Sequence, residues 1–232
     1  MNRRRLRPLL AAAIVALIAP LPLSAADPRL TVDPNTPPWD AIAKVQTNIG
    51  GRCTGALIAP AVVLTAAHCL YNRRSGALLQ PVSLHVLFGY QRGTYRWHRL
   101  VVGMTVGAGF DGGKLQPQRA DWARLELAEA IPASVSPLRV SKEAPMPGTA
   151  LALPGYNQDR AELLLAAAEC HVIGAARSPD GGAFFTHDCA GTRGTSGAPL
   201  LARRGDNWEV VGINIAAGRD ANLALLAAAT GG

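Results

Sequence analysis

The chain has 232 residues, enough for one large or two small globular units. Its formal charge is +7, but Arg3, Arg4, Arg5 and Arg7 lie in the first 26 residues with no acid beside them, so without that segment 19 basic side chains face 16 acidic ones, an excess of +3. No basic run interleaved with aromatics remains, which removes the main support for nucleic-acid binding.

Residues 1–26 combine a basic start, an apolar run from Leu9 to Leu23 and a small-residue end at Ser24-Ala25-Ala26, the pattern of a cleaved secretory signal peptide. Pro20 and Pro22 interrupt the apolar run, and it falls short of the roughly 20 apolar residues that a membrane span needs. The expectation is a secreted or periplasmic protein with no stable membrane anchor after cleavage. Residues 27–40 hold Pro28, Pro34, Pro37 and Pro38 among polar residues and read as a lead-in or propeptide rather than a packed element.

From Ala41 onward, short apolar stretches alternate with Gly, Pro, Asn and Asp. Ala41–Gln46, Gly55–Ile58, Val62–Thr65, Val82–Phe88, Leu100–Val106 and Trp122–Leu127 read as strands. So do Ala150–Leu153, Ala198–Ala202, Glu209–Ile215 and Leu223–Ala228. Such a succession predicts an all-β sandwich or barrel, with no internal repeat, low-complexity linker or heptad. Arg160–Cys170 and Ala221–Ala229 are rich in Ala and Leu, which favour helix, but both are short and are read as strands.

Three places carry chemistry. In Leu64-Thr65-Ala66-Ala67-His68-Cys69 the histidine adjoins a cysteine, and Cys53 lies sixteen residues earlier. A bond between the two would staple the loop that carries the imidazole, and a general base must stay within about 3 Å of the proton it takes. In Ala120-Asp121-Trp122-Ala123-Arg124-Leu125, Asp121 stands immediately before an alternating strand. A carboxylate there could accept from an imidazole N–H and fix its tautomer. In Gly194-Thr195-Ser196-Gly197-Ala198-Pro199-Leu200 a serine is enclosed by glycines, where small neighbours let a carbonyl approach and Gly194 can offer its N–H to an oxyanion. Taken singly, each fits a structural histidine, a turn aspartate and an ordinary turn. Together, in the order His, Asp, Ser, they point to nucleophilic catalysis. His85 and His98 read as structural, and His187 with Asp188, or Asp111, rank behind His68 and Asp121.

Four cysteines, Cys53, Cys69, Cys170 and Cys189, allow three pairings in an oxidising compartment, and sequence proximity favours Cys53 with Cys69 and Cys170 with Cys189. There is no CxxC or HExxH, so no metal site is expected.

The segments CTGALI, LTAAHC, ADWARLEL and GTSGAPL followed by VVGINI resemble the chymotrypsin/trypsin-fold serine proteases over roughly Ala41 to Ala229, with an Asp-to-Ser interval like that of the compact bacterial branch that includes glutamyl endopeptidases. The resemblance implies two packed six-stranded antiparallel β-barrels, about 41–130 and 145–229, with the site in the cleft between them. It implies His68 as general base, Asp121 as its orienting carboxylate, Ser196 as nucleophile, the N–H groups of Gly194 and Ser196 as oxyanion hole, and a Cys53–Cys69 bond. The expected substrate is a protein or peptide, with no cofactor. The expected substrate pocket comprises Ala190, Gly191, Asn214 and Ala216. Thr195 stands where digestive members carry the Asp that pairs with a newly cut N-terminus. Ala190 stands where trypsin-like specificity needs an acid, and Asn214 where glutamyl-specific relatives place a histidine. A small or apolar P1 side chain is therefore expected, with Arg219 as the one route to an acidic preference. The alternative is a non-catalytic binding or adhesion module on the same barrels.

Overall fold

In the computed structural model, residues 26–115, 118–178 and 181–231 are described. Twelve strands build two closed barrels. The first contains β1 (Ile42–Thr47), β2 (Arg52–Ala59), β3 (Val62–Thr65), β4 (Leu84–Phe88), β5 (Trp97–Val106) and β6 (Ala123–Leu127). They pair antiparallel in the order β1-β2-β3-β6-β5-β4, and β4 returns to β1. The second contains β7 (Ala150–Gly155), β8 (Leu165–Arg177), β9 (Ala183–His187), β10 (Pro199–Arg204), β11 (Asn207–Ala216) and β12 (Asn222–Leu226). Their order is β7-β8-β9-β12-β11-β10, and β10 closes on β7 through Ala152 and Leu201. The two barrels thus share one pairing scheme, a repeat of topology with no counterpart in the residues.

Local patterns explain the placement. In β6, Ala123, Leu125 and Leu127 face the core while Arg124 is half-exposed and Glu126 exposed, the period of two expected of a strand with one wet face. In β2 the alternation disappears, because Cys53, Thr54, Gly55, Ala56 and Leu57 are all buried. That strand packs on its own barrel and also against β7 and β10 of the second. The main core runs through both barrels, from Leu57, Leu64, Phe88 and Leu125 to Tyr156, Leu201 and Leu225.

Three expectations are corrected. The lead-in is a packed element: Arg29–Thr31 forms a short strand on β8, with Leu30 opposite Ala166. The alanine-rich Arg160–Cys170 segment holds a strand only from Leu165, and that strand continues to Arg177. It takes β7 on one side and Arg29–Thr31 on the other, and two hydrogen-bonded ladders outweigh a few tenths of a kcal/mol per residue of helix propensity. Finally, β9 has no counterpart among the expected strands, although its Phe184, Phe185 and Thr186 are strand formers. At the edges, Pro81–Ser83 and Ala227–Thr230 are 3-10 turns rather than strand, and Trp97–Arg99 extend β5 backward. Residues 1–25 of the expected signal peptide lie outside the described residues. Among the described residues no helix is long and apolar enough to cross a membrane.

Candidate active site

β3 and β6 are antiparallel neighbours, with Thr65 opposite Ala123. His68 lies three residues beyond Thr65, in the 3-10 turn Ala67–Leu70, and Asp121 lies two residues before Ala123. The pairing therefore brings both to one edge of the first barrel. The His68 Nδ1–H donates to Asp121 Oδ2 at 2.7 Å, and the His68 backbone N–H donates to Oδ1 at 2.8 Å. Asp121 is 5% exposed, so this carboxylate is held by two bonds from one residue with little competition from water. With Nδ1 carrying the proton, Nε2 is the basic nitrogen of the neutral ring. The Cys53–Cys69 disulfide ties this turn to β2.

Ser196 comes from the second barrel, just before β10, and is half-exposed. Its carbonyl accepts from the Thr54 N–H at 3.0 Å and lies 3.8 Å from Cys69 Sγ, so the serine turn rests against the His68 turn. Two glycines permit that approach. Gly197 has φ +76°, and a Cβ there would collide with Thr65 Oγ1; Gly194 has φ +98°, and a Cβ there would collide with the Tyr156 carbonyl. The Thr54 hydroxyl donates to the Gly194 carbonyl at 2.8 Å and accepts from the Tyr156 N–H at 3.0 Å. Among the described residues the N–H groups of Gly194 and Ser196 have no acceptor. That leaves two backbone donors in one turn, the arrangement an oxyanion hole requires.

Thr195 is buried, and its hydroxyl donates to the Thr192 carbonyl at 2.7 Å. The Asn214 side-chain amide donates to the Thr195 carbonyl at 3.1 Å. The turn is thus closed by neutral bonds. Asn214 Oδ1 in turn accepts from His187 Nε2 at 3.2 Å, and among the described residues His187 Nδ1 is buried without a partner. Burial pushes the His187 pKa down to about 4, against the smaller opposing pull of Asn214 and Asp188.

Beside this turn lies an open cavity of about 560 Å³. Ala190, Gly191 and His187 line it. Asn214 lies one contact behind His187, and Ala216 is at the exposed end of β11. The Cys170–Cys189 disulfide fixes the wall, and Arg219 sits on the rim. Asp27, Pro28 and Arg29, at the start of the expected lead-in, and Ala26 before them also border the cavity. Arg29 anchors them through Asp27, Asp159 at 2.6 Å and Asn157 at 2.9 Å, and Asn157 Oδ1 also accepts from the Thr192 N–H. Among the described residues, the two clusters of possible metal ligands each consist of a disulfide and one neighbour, and disulfide sulfurs offer no thiolate.

Residues 53–213 match the trypsin-like peptidase domain, which is more than half of the chain. The chain belongs to the trypsin-like peptidase family. By that membership the peptidase is a serine endopeptidase acting on peptide substrates. Its fold is similar to the solved structure of a Glu endopeptidase in complex with MPD, at a TM-score of 0.71 and 22% identity, covering 88% of this chain and 92% of the other. No curated protein sequence matches the peptidase.

Proposed function

We propose that this peptidase cleaves peptide bonds through an acyl-enzyme on Ser196. The Ser196 hydroxyl attacks the scissile carbonyl and passes its proton to His68 Nε2, which delivers it to the leaving amine. Water then enters and gives a proton to His68 Nε2 as its oxygen bonds the acyl carbon; the acyl–oxygen bond to Ser196 breaks, and His68 returns the proton to Ser196 Oγ. Asp121 keeps the ring in the right tautomer and stabilises the imidazolium, and the N–H groups of Gly194 and Ser196 receive the oxyanion. The observation that carries this reading is the double grip of Asp121 on His68, at 2.7 and 2.8 Å, beside a serine turn whose two N–H groups are free among the described residues. A binding module would have no use for that grip.

Ala190 and Gly191 place no acid in the pocket wall to meet a P1 Lys or Arg. Of the carboxylates that line the same cavity, Asp27 is paired with Arg29 and Arg160, Asp188 accepts from the His171 N–H and Asp220 is exposed, and the Asn214 amide is already engaged with Thr195. These features support a small or apolar P1 residue. An acidic P1, the preference for which the similar Glu endopeptidase is named, would fall to Arg219. The two disulfides and the signal-like start support a secreted or periplasmic site of action.

The test is labelling of oxidised, folded protein by an organophosphonate, with Ser196→Ala as control. Labelling confined to the wild type is expected, and equal labelling of both would end the acyl-enzyme reading. A peptide-library digest then reads P1, where dominant cleavage after Lys or Arg would overturn the pocket assignment.

A further inference from the structure

A second cavity, of about 500 Å³, lies on the other side of the serine turn. Gly191 and Thr192 line the first cavity and Gly194 lines the second, so the segment 191–194 is the ridge between them. A peptide whose carbonyl sits at the Gly194 N–H, with its acyl side over the first cavity, sends its leaving group towards the second. The two differ in charge. The first mixes Arg29 and Arg219 with Asp27, Asp188 and Asp220. The second is lined by Lys44, Arg52 and Arg193 and by no carboxylate.

Its floor is fixed and its rim is not. Lys44 is fully buried, donates to the Ala161 carbonyl at 2.9 Å and sits 3.6 Å from the Tyr90 ring centre. Its charge is partly met by Glu162 at 3.5 Å, which also accepts from the Tyr90 hydroxyl. Arg52 and Arg193 are exposed, and among the described residues neither guanidinium has an ion-pair or hydrogen-bond partner. Gly50 and Gly51 leave the wall between Lys44 and Arg52 without side chains. A guanidinium binds a carboxylate with two parallel bonds, and two of them flanking one opening are complementary to such a ligand.

We infer that this cavity is a leaving-group subsite for a carboxylate, in which Arg52 and Arg193 bind an acidic side chain at P1′ or P2′, or the C-terminal carboxylate of a short substrate. The inference rests on the acyl-enzyme reading only for the direction of the peptide. The two sources share one chemistry and differ in where the charge sits.

The experiment uses the mature protein and quenched peptides with a P1 residue taken from the library digest. Glu is compared with Gln at P1′ and at P2′, and a free-acid C-terminus with an amide one residue after the cleaved bond. Glu at P1′ or P2′, or the free acid, is expected to raise kcat/KM about tenfold at low ionic strength, with the gain shrinking at high salt. Arg193→Gln with Arg52→Gln is expected to bring the ratio close to one. Binding of the same peptides to Ser196→Ala, read by fluorescence anisotropy, needs no turnover and separates this inference from the chemistry. A Glu-to-Gln ratio near one in both assays, or a preference that survives the double arginine variant, overturns it. If the wild type takes no more organophosphonate label than Ser196→Ala but the binding preference is present, the subsite stands and the acyl-enzyme reading falls.

Discussion

The Thr54 N–H donates to the Ser196 carbonyl across the junction of the barrels at 3.0 Å, and the Thr54 hydroxyl reaches the Gly194 carbonyl two residues earlier. One residue of the first barrel therefore holds both ends of the serine turn. Thr54→Val keeps the shape and the backbone bond but strands the Tyr156 N–H and the Gly194 carbonyl, both buried. The expected loss is about 1–3 kcal/mol of stability by urea unfolding, with kcat falling more than KM rises. An unchanged kcat would mean that the turn holds its shape without the hydroxyl.

Asp121→Asn retains the volume of the side chain but can no longer anchor the imidazole in the tautomer that leaves Nε2 basic. In the proposed mechanism kcat falls by about 10⁴ while thermal unfolding stays close to wild type. Steady-state kinetics on the best library peptide decides it; a loss of less than tenfold would remove Asp121 from the mechanism.

His187 gives stability a pH dependence. Its folded pKa is about 4, below the ordinary value of 6.5, so between those limits the unfolded chain binds the extra proton and the folded one does not. Stability from this group is full above pH 6.5 and is lost as pH falls towards 4, by up to about 3 kcal/mol. Urea unfolding of wild type and His187→Gln across pH 4–7 measures it. The variant is expected to have the flatter profile, and parallel profiles would refute the assignment.

The two disulfides should fail differently. Closing the sixteen-residue separation of Cys53 and Cys69 contributes about 3 kcal/mol in the chain-entropy account, and the bond also steadies the His68 turn. Cys53→Ala with Cys69→Ala is expected to lower Tm and kcat together. Cys170→Ala with Cys189→Ala frees the wall of the first cavity and is expected to raise KM and broaden P1 preference. Thermal unfolding and the library digest distinguish the two; identical changes in both double variants would contradict these separate roles.

Arg29 offers a simpler test. Arg29→Met removes its bonds to Asp27, Asp159 and Asn157 and so releases residues 26–29 from the cavity edge. KM is expected to change more than Tm, because the segment adds one short strand to an otherwise complete barrel. A drop in Tm with KM unchanged would make the segment a stability element alone.

Much of this is legible in the residues because it depends on local chemistry. The two-residue period in Ala123–Leu127, the Cys beside His68 and the glycines around Ser196 each identify an element within a few positions. What escapes depends on neighbours far along the chain. Arg160–Cys170 is rich in helix formers, and the strand expected there begins only at Leu165, where β7 and Arg29–Thr31 lie beside it. Lys44, Arg52 and Arg193 are unremarkable in sequence and meet only because the barrels dock. Asn214 looks like a pocket residue from its position after Ser196, yet its amide turns inward to Thr195 and His187.

The neutral bonds that close the Thr192–Thr195 turn have a consequence for timing. Thr195 presents no buried acid for a freshly cut amine to neutralise, because its hydroxyl and carbonyl already have neutral partners. On the proposed mechanism, what remains to be assembled is the junction itself, since His68 and Asp121 sit on the first barrel and Ser196 on the second. On that reading the site is complete only once the second barrel has closed and docked on the first.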